Sequence, residues 1–110
     1  GLIEAPLIID WPNRPRSKVC PISGKPSTTH WQVLNVGPSG ERTRLSLQPI
    51  TGRTHQLRVH LLHIGHPIVG DALYAPDPAH SVRLLLHAQC LSLPHPSTGH
   101  ILHFECPCPF

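Results

Sequence analysis

The chain has 110 residues, 39% hydrophobic and 14% charged, with a formal net charge of +3 when histidines are neutral. That length holds at most one small domain with a modest core, and no apolar run approaches the ~20 residues of a membrane-spanning helix. Fourteen prolines predict many loops and few long regular elements. Most of the cations are arginines, which suit phosphate and base stacking better than lysines. Such a charge permits a nucleic-acid partner without requiring one. The opening Gly1-Leu2-Ile3-Glu4 lacks the basic-then-apolar pattern of a signal peptide, and the lack of methionine is expected of a piece of a longer protein.

Residues 1 to 27 read as irregular, because Trp11-Pro12-Asn13-Arg14-Pro15-Arg16 and Ser23-Gly24-Lys25-Pro26 are turn material. Thr28 to Val36 is β-branched and aromatic and predicts a strand. Gly37-Pro38-Ser39-Gly40 is a hairpin turn. Arg42 to Leu47 then alternates, with Thr43, Leu45 and Leu47 on one face, until Pro49 ends the strand. From Thr54 the period changes: Leu57, Leu61 and Ile64 fall at i, i+4 and i+7, the apolar face of a helix. Gly65 is a natural residue just past its end, and Pro67 forbids continuation. Pro76 and Pro78 mark a loop. Leu84 to Leu93 is apolar enough for a buried strand, with a helix as the other possibility. His95 to Gly99 turns the chain into a last strand through Ile101, Leu102 and Phe104. The expected result is an α+β fold: one largely antiparallel sheet of the strands from Thr28, Arg42, Leu84 and Ile101, with one packed helix.

Arg53 follows Gly52 at the strand-to-helix junction, where glycine allows a tight turn and free N–H groups at a helix start favour an anion. A guanidinium there can hold a carboxylate or phosphate through two hydrogen bonds; an exposed arginine on a turn is the plainer alternative. Arg58 faces the same choice, and five residues of separation do not by themselves unite the two. His55, His60 and His63 share the predicted helix at spacings that miss the i, i+4 pair of a zinc-protease helix, so they read as structural or RNA-facing. Cys106-Pro107-Cys108 has one intervening residue, unlike a zinc knuckle, and Cys20, Cys90, Cys106 and Cys108 read as ordinary cytosolic thiols with no metal site. No Gly-x-Ser-x-Gly elbow or Gly-Lys phosphate loop is present. From these residues alone the chain is a small, basic, β-rich domain with an anion-handling corner.

Its longer motifs say more. Thr51-Gly52-Arg53-Thr54-His55-Gln56-Leu57-Arg58-Val59-His60 resembles the Gly-Arg-x-His-Gln-[Leu/Ile]-Arg segment of the RluA-type pseudouridine synthases. Gly65-His66-Pro67-Ile68-Val69-Gly70-Asp71 with Tyr74 resembles the loop that follows it, and Arg83-Leu84-Leu85-Leu86-His87-Ala88 the closing motif. Asp10-Trp11-Pro12-Asn13-Arg14-Pro15 and Gly24-Lys25-Pro26 resemble the branch whose members act on both 23S rRNA and tRNA.

In that family an aspartate of a His-Arg-Leu-Asp motif attacks a flipped uridine, and the uracil is detached, turned and rejoined through carbon. The resemblance implies that Arg53 pairs with and orients this aspartate, which a partner cation also keeps ionised. It implies that Leu84 and Leu86 wall the uracil pocket, and that no cofactor is needed. Neither His-Arg-Leu-Asp nor the segment of the pocket tyrosine occurs in these residues; Asp10, Asp71 and Asp77 lie in other contexts. The chain is therefore expected to be the C-terminal half of a catalytic domain, inactive alone, from a cytoplasmic and monomeric enzyme with no membrane partner. Arg58, Arg83, Arg14, Arg16 and Lys18 are the candidates for contact with an rRNA or tRNA stem-loop. A non-catalytic RNA-binding domain is the alternative, and a histidine- and cysteine-rich metal module a third class.

Overall fold

The longest strand, β4 (Thr28–Val36), organises the molecule. In this computed structural model, which describes residues 1–75 and 83–110, β4 lies between β1 (Leu2–Glu4) and β5 (Thr43–Pro49) in an antiparallel sheet of order β1-β4-β5. The loop predicted at Pro76 and Pro78 falls outside the described residues. The β4–β5 hairpin closes with Gly37 N–H on the Arg42 carbonyl at 2.7 Å, and Gly40 takes the left-handed backbone that the turn needs. A bulge between Val33 and Asn35 interrupts the register.

The first 27 residues are more ordered than their composition predicts. Besides β1 they hold β2 (Leu7–Ile9) and β3 (Ser17–Val19), which pair antiparallel around a 3-10 turn at Trp11–Asn13. Strands of three residues are too short to show a period, which is why turn signals dominated that stretch.

The expectation of one sheet is corrected further along as well. Residues 84–89 are not a strand; their leucines are half-buried, and Leu85 N–H donates to the Val69 carbonyl at 2.9 Å. The strand begins only at β6 (Cys90–Pro94), which pairs with β7 (Ile101–Glu105) in a hairpin of its own. An apolar run records burial, not pairing. Leu84 and Leu86 satisfy theirs by packing on the core without joining a ladder.

Helix α1 (Gln56–His63) packs against β3 and β5. It ends with Gly65 N–H on the Leu62 carbonyl and His66 N–H on the Leu61 carbonyl, both at 2.9 Å, with Gly65 at φ 85. These are the paired bonds of a Schellman cap. Its buried face differs from the predicted one. Gln56, Val59, His60 and Leu61 are buried, Leu57 is half-buried and Ile64 is 36% exposed. Two of the four are polar because the core beneath them is polar, as described below. The apolar core has two parts: Ile3, Ala5, Leu61 and Ile68, flanked by Trp31, Leu45, Leu47, Leu84 and Leu86; and Leu7, Val59 and Tyr74, flanked by Leu73. Val19 touches both.

Candidate active site

Between the end of β5 and the start of α1, Thr51, Gly52 and Arg53 form a turn held from below by one side chain. Gln56 Oε1 accepts from Thr51 Oγ1 at 2.6 Å and from Arg53 N–H at 3.1 Å. Its Nε2 donates to the Thr28 carbonyl at 2.9 Å and to Thr29 Oγ1 at 3.0 Å. Thr29 Oγ1 is 2.8 Å from His60 Nδ1, and His60 Nε2 is 2.9 Å from the Ala5 carbonyl. A carbonyl only accepts, so Nε2 carries the imidazole proton and Thr29 donates to Nδ1. Thr29 and His60 are wholly buried. Burial, helped by neighbouring His63, holds His60 below its ordinary pKa against the pull of the Ala5 carbonyl. This polar spine ties the turn to β4 and to Ala5 just after β1, so the backbone of Arg53 is held against the sheet.

The turn rims a cleft of about 350 Å³ whose lining includes Thr51, Arg53, His55, Gln56, Arg58 and Leu86. Arg53 is exposed, and its Nε and Nη2 donate to the Pro26 carbonyl at 3.2 and 3.0 Å. Its Nη1 amino group has no hydrogen-bond partner among the described residues. Leu86 reaches the same cleft from the other end of the chain, while Leu84 packs on the core and does not line it. The structure thus unites two residues that sequence spacing could not. A larger hollow of about 540 Å³ lies beside Gly1, Trp31 and Gln48 on the sheet and contains none of the candidate residues.

Arg58 also lines the cleft, but its guanidinium is engaged. Nε and Nη2 donate to the two oxygens of Asp71 at 2.9 and 2.6 Å, a bidentate pair in which Asp71 is fully buried. Burial works to raise the Asp71 carboxyl; the Arg58 hydrogen bonds and the N–H groups of Leu73 and Tyr74 outweigh it and hold the carboxyl below its ordinary range. Arg58 is therefore anchored to the Gly70-Asp71 loop rather than presented singly to RNA phosphate. Asp71, which the sequence places outside the catalytic motif, anchors this corner. Its signal was its place, with Tyr74, in the loop motif.

The remaining cations lie elsewhere. Arg14 stacks on Trp11 with its guanidinium 4.2 Å from the ring centroid. Arg16, half-buried, donates to the Leu73 carbonyl at 3.3 Å, and Lys18 is exposed on β3. Arg83 donates to the Leu84 carbonyl and sits over the Phe110 ring at 4.9 Å. All four cysteines are free, and among the described residues no three His, Cys, Asp or Glu side chains cluster as a metal site.

Comparison with known proteins decides the lineage. The model of the family described as RNA pseudouridylate synthase matches residues 1–63, which include the strands beneath the cleft, Arg53 and the whole of α1. The chain belongs to this family. Among curated pseudouridine synthases, all 110 residues align with "Dual-specificity RNA pseudouridine synthase RluA" from Yersinia pestis at 53% identity, and from Escherichia coli K12 at 49%. The chain spans about half the length of these relatives, 54% and 51%. The fold is shared with the solved structure of "Human RNA Pseudouridylate Synthase Domain Containing 1", at a TM-score of 0.84 and 32% identity, over the whole of this chain and 49% of that one. The mostly antiparallel architecture with one packed helix is thus shared with the matched half of that structure.

Proposed function

We propose that this chain is the C-terminal part of the catalytic domain of an RNA pseudouridine synthase that converts uridine to pseudouridine in 23S rRNA, tRNA or both, acting in the cytoplasm. The observation that carries the reading is the cleft that holds Arg53 and Leu86 together in a chain of this family. A guanidinium on a rigid turn beside an apolar wall suits a carboxylate that must stay ionised while a flat, uncharged base lies next to it. The dual RNA specificity named for the Yersinia pestis and Escherichia coli relatives supports the substrate class.

In this reading the nucleophilic aspartate comes from a segment outside these 110 residues, and Arg53 meets it through the guanidinium edge that Pro26 leaves uncommitted. Leu86 contacts the uracil, Leu84 backs it, and Arg14, Arg16, Lys18 and Arg83 lie where RNA backbone passes. The reaction moves one glycosidic bond from nitrogen to carbon with no net redox change, so no cofactor is needed.

The test is to assay the complete protein and the 110-residue chain on uridine-containing 23S rRNA and tRNA stem-loops, locating pseudouridine by mass spectrometry. The complete protein is expected to form it and the chain alone to form none. RNA binding by a complete protein that modifies no uridine would favour a non-catalytic RNA-binding domain.

A further inference from the structure

His55, directly before α1, has φ 54 and ψ 23, and among the described residues it alone combines a side chain with positive φ. It makes no side-chain cap to the helix it precedes. A residue with a β-carbon is strained there, and glycine or asparagine would be easier to place. The conformation brings the ring to Tyr74. His55 Nδ1 is 2.7 Å from Tyr74 Oη, and the rings meet edge to face with centroids 5.6 Å apart.

Ser17 N–H donates to the same phenol oxygen at 2.8 Å, and Tyr74 is buried. With that donor in place the phenol's own hydrogen needs an acceptor, and His55 Nδ1 is the one in hydrogen-bond reach among the described residues. Tyr74 therefore donates to Nδ1, which fixes His55 as the neutral tautomer with its proton on Nε2. No hydrogen bond from a described residue reaches Nε2. Because no buried side-chain nitrogen or oxygen among the described residues lacks a partner, Nε2–H is open to solvent, on a ring that lines the cleft beside Arg53. Desolvation, then the nearby Arg58 charge, lowers the pKa of this imidazole, with Asp71 opposing.

We propose that His55 contacts the substrate in this cleft, donating Nε2–H to an acceptor oxygen of the RNA, and that Tyr74 is the positioning residue that fixes the donating tautomer. The proposal rests on the reading of the cleft as a pseudouridine synthase site. The acceptor is a uracil carbonyl or a backbone phosphate oxygen, and kinetics separate the two: loss of a carbonyl contact lowers kcat, whereas loss of a phosphate contact lowers RNA affinity and its salt dependence.

The test uses the complete enzyme. His55→Asn tolerates the left-handed backbone but removes the Nε2 donor, and is expected to lower kcat/KM by ~10-fold or more. His55→Gln, whose amide nitrogen reaches the position of Nε2, is expected to restore most of it. Tyr74→Phe removes the donor to Nδ1, so the Nδ1–H tautomer, whose Nε2 cannot donate, becomes populated. The value of kcat/KM is expected to fall at neutral pH, with the loss shrinking in acid, where protonation of the imidazole restores Nε2–H. The charged and titratable groups around His55 are Arg53, Arg58, Asp71 and Tyr74. If Tyr74→Phe does not fold, the imidazole 15N pattern of the wild type decides: the Nε2–H tautomer supports the proposal and Nδ1–H overturns it. Activity of His55→Asn within twofold of an active wild type would overturn the proposal alone. A wild type that modifies no uridine would remove the functional reading and this inference with it.

Discussion

Gln56 and His60 occupy positions where a helix on a sheet ordinarily places aliphatic side chains. Both are buried and each of their polar side-chain atoms has a partner, so the turn before α1 is tied to the sheet by directional bonds. None of this was legible in the sequence. Apolar periodicity assigns polar residues to the outside, and nothing in the order of residues pairs Thr29 with His60 across 31 positions. The position of Arg53 on a cleft-lining turn was legible because a glycine, an arginine and a helix start coincide within a few residues.

The buried imidazole has a consequence in acid. Its folded pKa is depressed, so its contribution to stability is present above the unfolded value of about 6.5 and is lost as pH falls through the folded value. His55, also depressed, acts in the same sense. The melting temperature is therefore expected to fall between pH 7 and pH 5, before the carboxylates titrate, and to fall less in His60→Asn. A melting temperature that is flat over this range would contradict the neutral assignment of His60.

At the scale of elements, the hairpin of β4 and β5 and the extent of α1 follow from alternation, turn residues and the stop at Gly65. The faces and the partners do not. Leu61 is 4% exposed inside the main core, whereas Ile64, on the predicted apolar stripe, is 36% exposed. Leu61→Ala is expected to cost about 2–5 kcal/mol and Ile64→Ala under ~1 kcal/mol, since only the former leaves a cavity. Chemical denaturation of both variants checks this, and equal losses would restore the predicted stripe. The strand expected over Leu84 to Leu93 begins only at Cys90 for a related reason: half-buried leucines packed on a core and leucines paired in a strand look alike in one dimension.

Across the whole molecule, β4, β5 and the β6–β7 hairpin leave much apolar surface in water. Val33, Leu34, Val36, Leu91, Ile101 and Phe104 are between 46% and 60% exposed. β1 and β5 are the edges of their sheet, and such edges and patches invite association. The 110-residue chain is expected to self-associate as its concentration rises, which sedimentation velocity would detect. A monomer over a wide concentration range would count against it. The family was legible from motifs spread over the length of the chain, although the strand pairings were not, because a motif preserves local chemistry independently of the sheet that supports it.

The central claim is that Arg53 serves a carboxylate within the enzyme rather than a phosphate of the RNA. The most direct measurement compares turnover and RNA affinity for Arg53→Ala in the complete protein. The expected result is turnover lowered by ~10²-fold or more with affinity little changed, because a lost charge partner misorients the nucleophile without touching the RNA backbone. Arg53→Lys should recover little, since an ammonium cannot reproduce the planar fork. Turnover near wild type, or affinity falling by the same factor as turnover, would contradict the account.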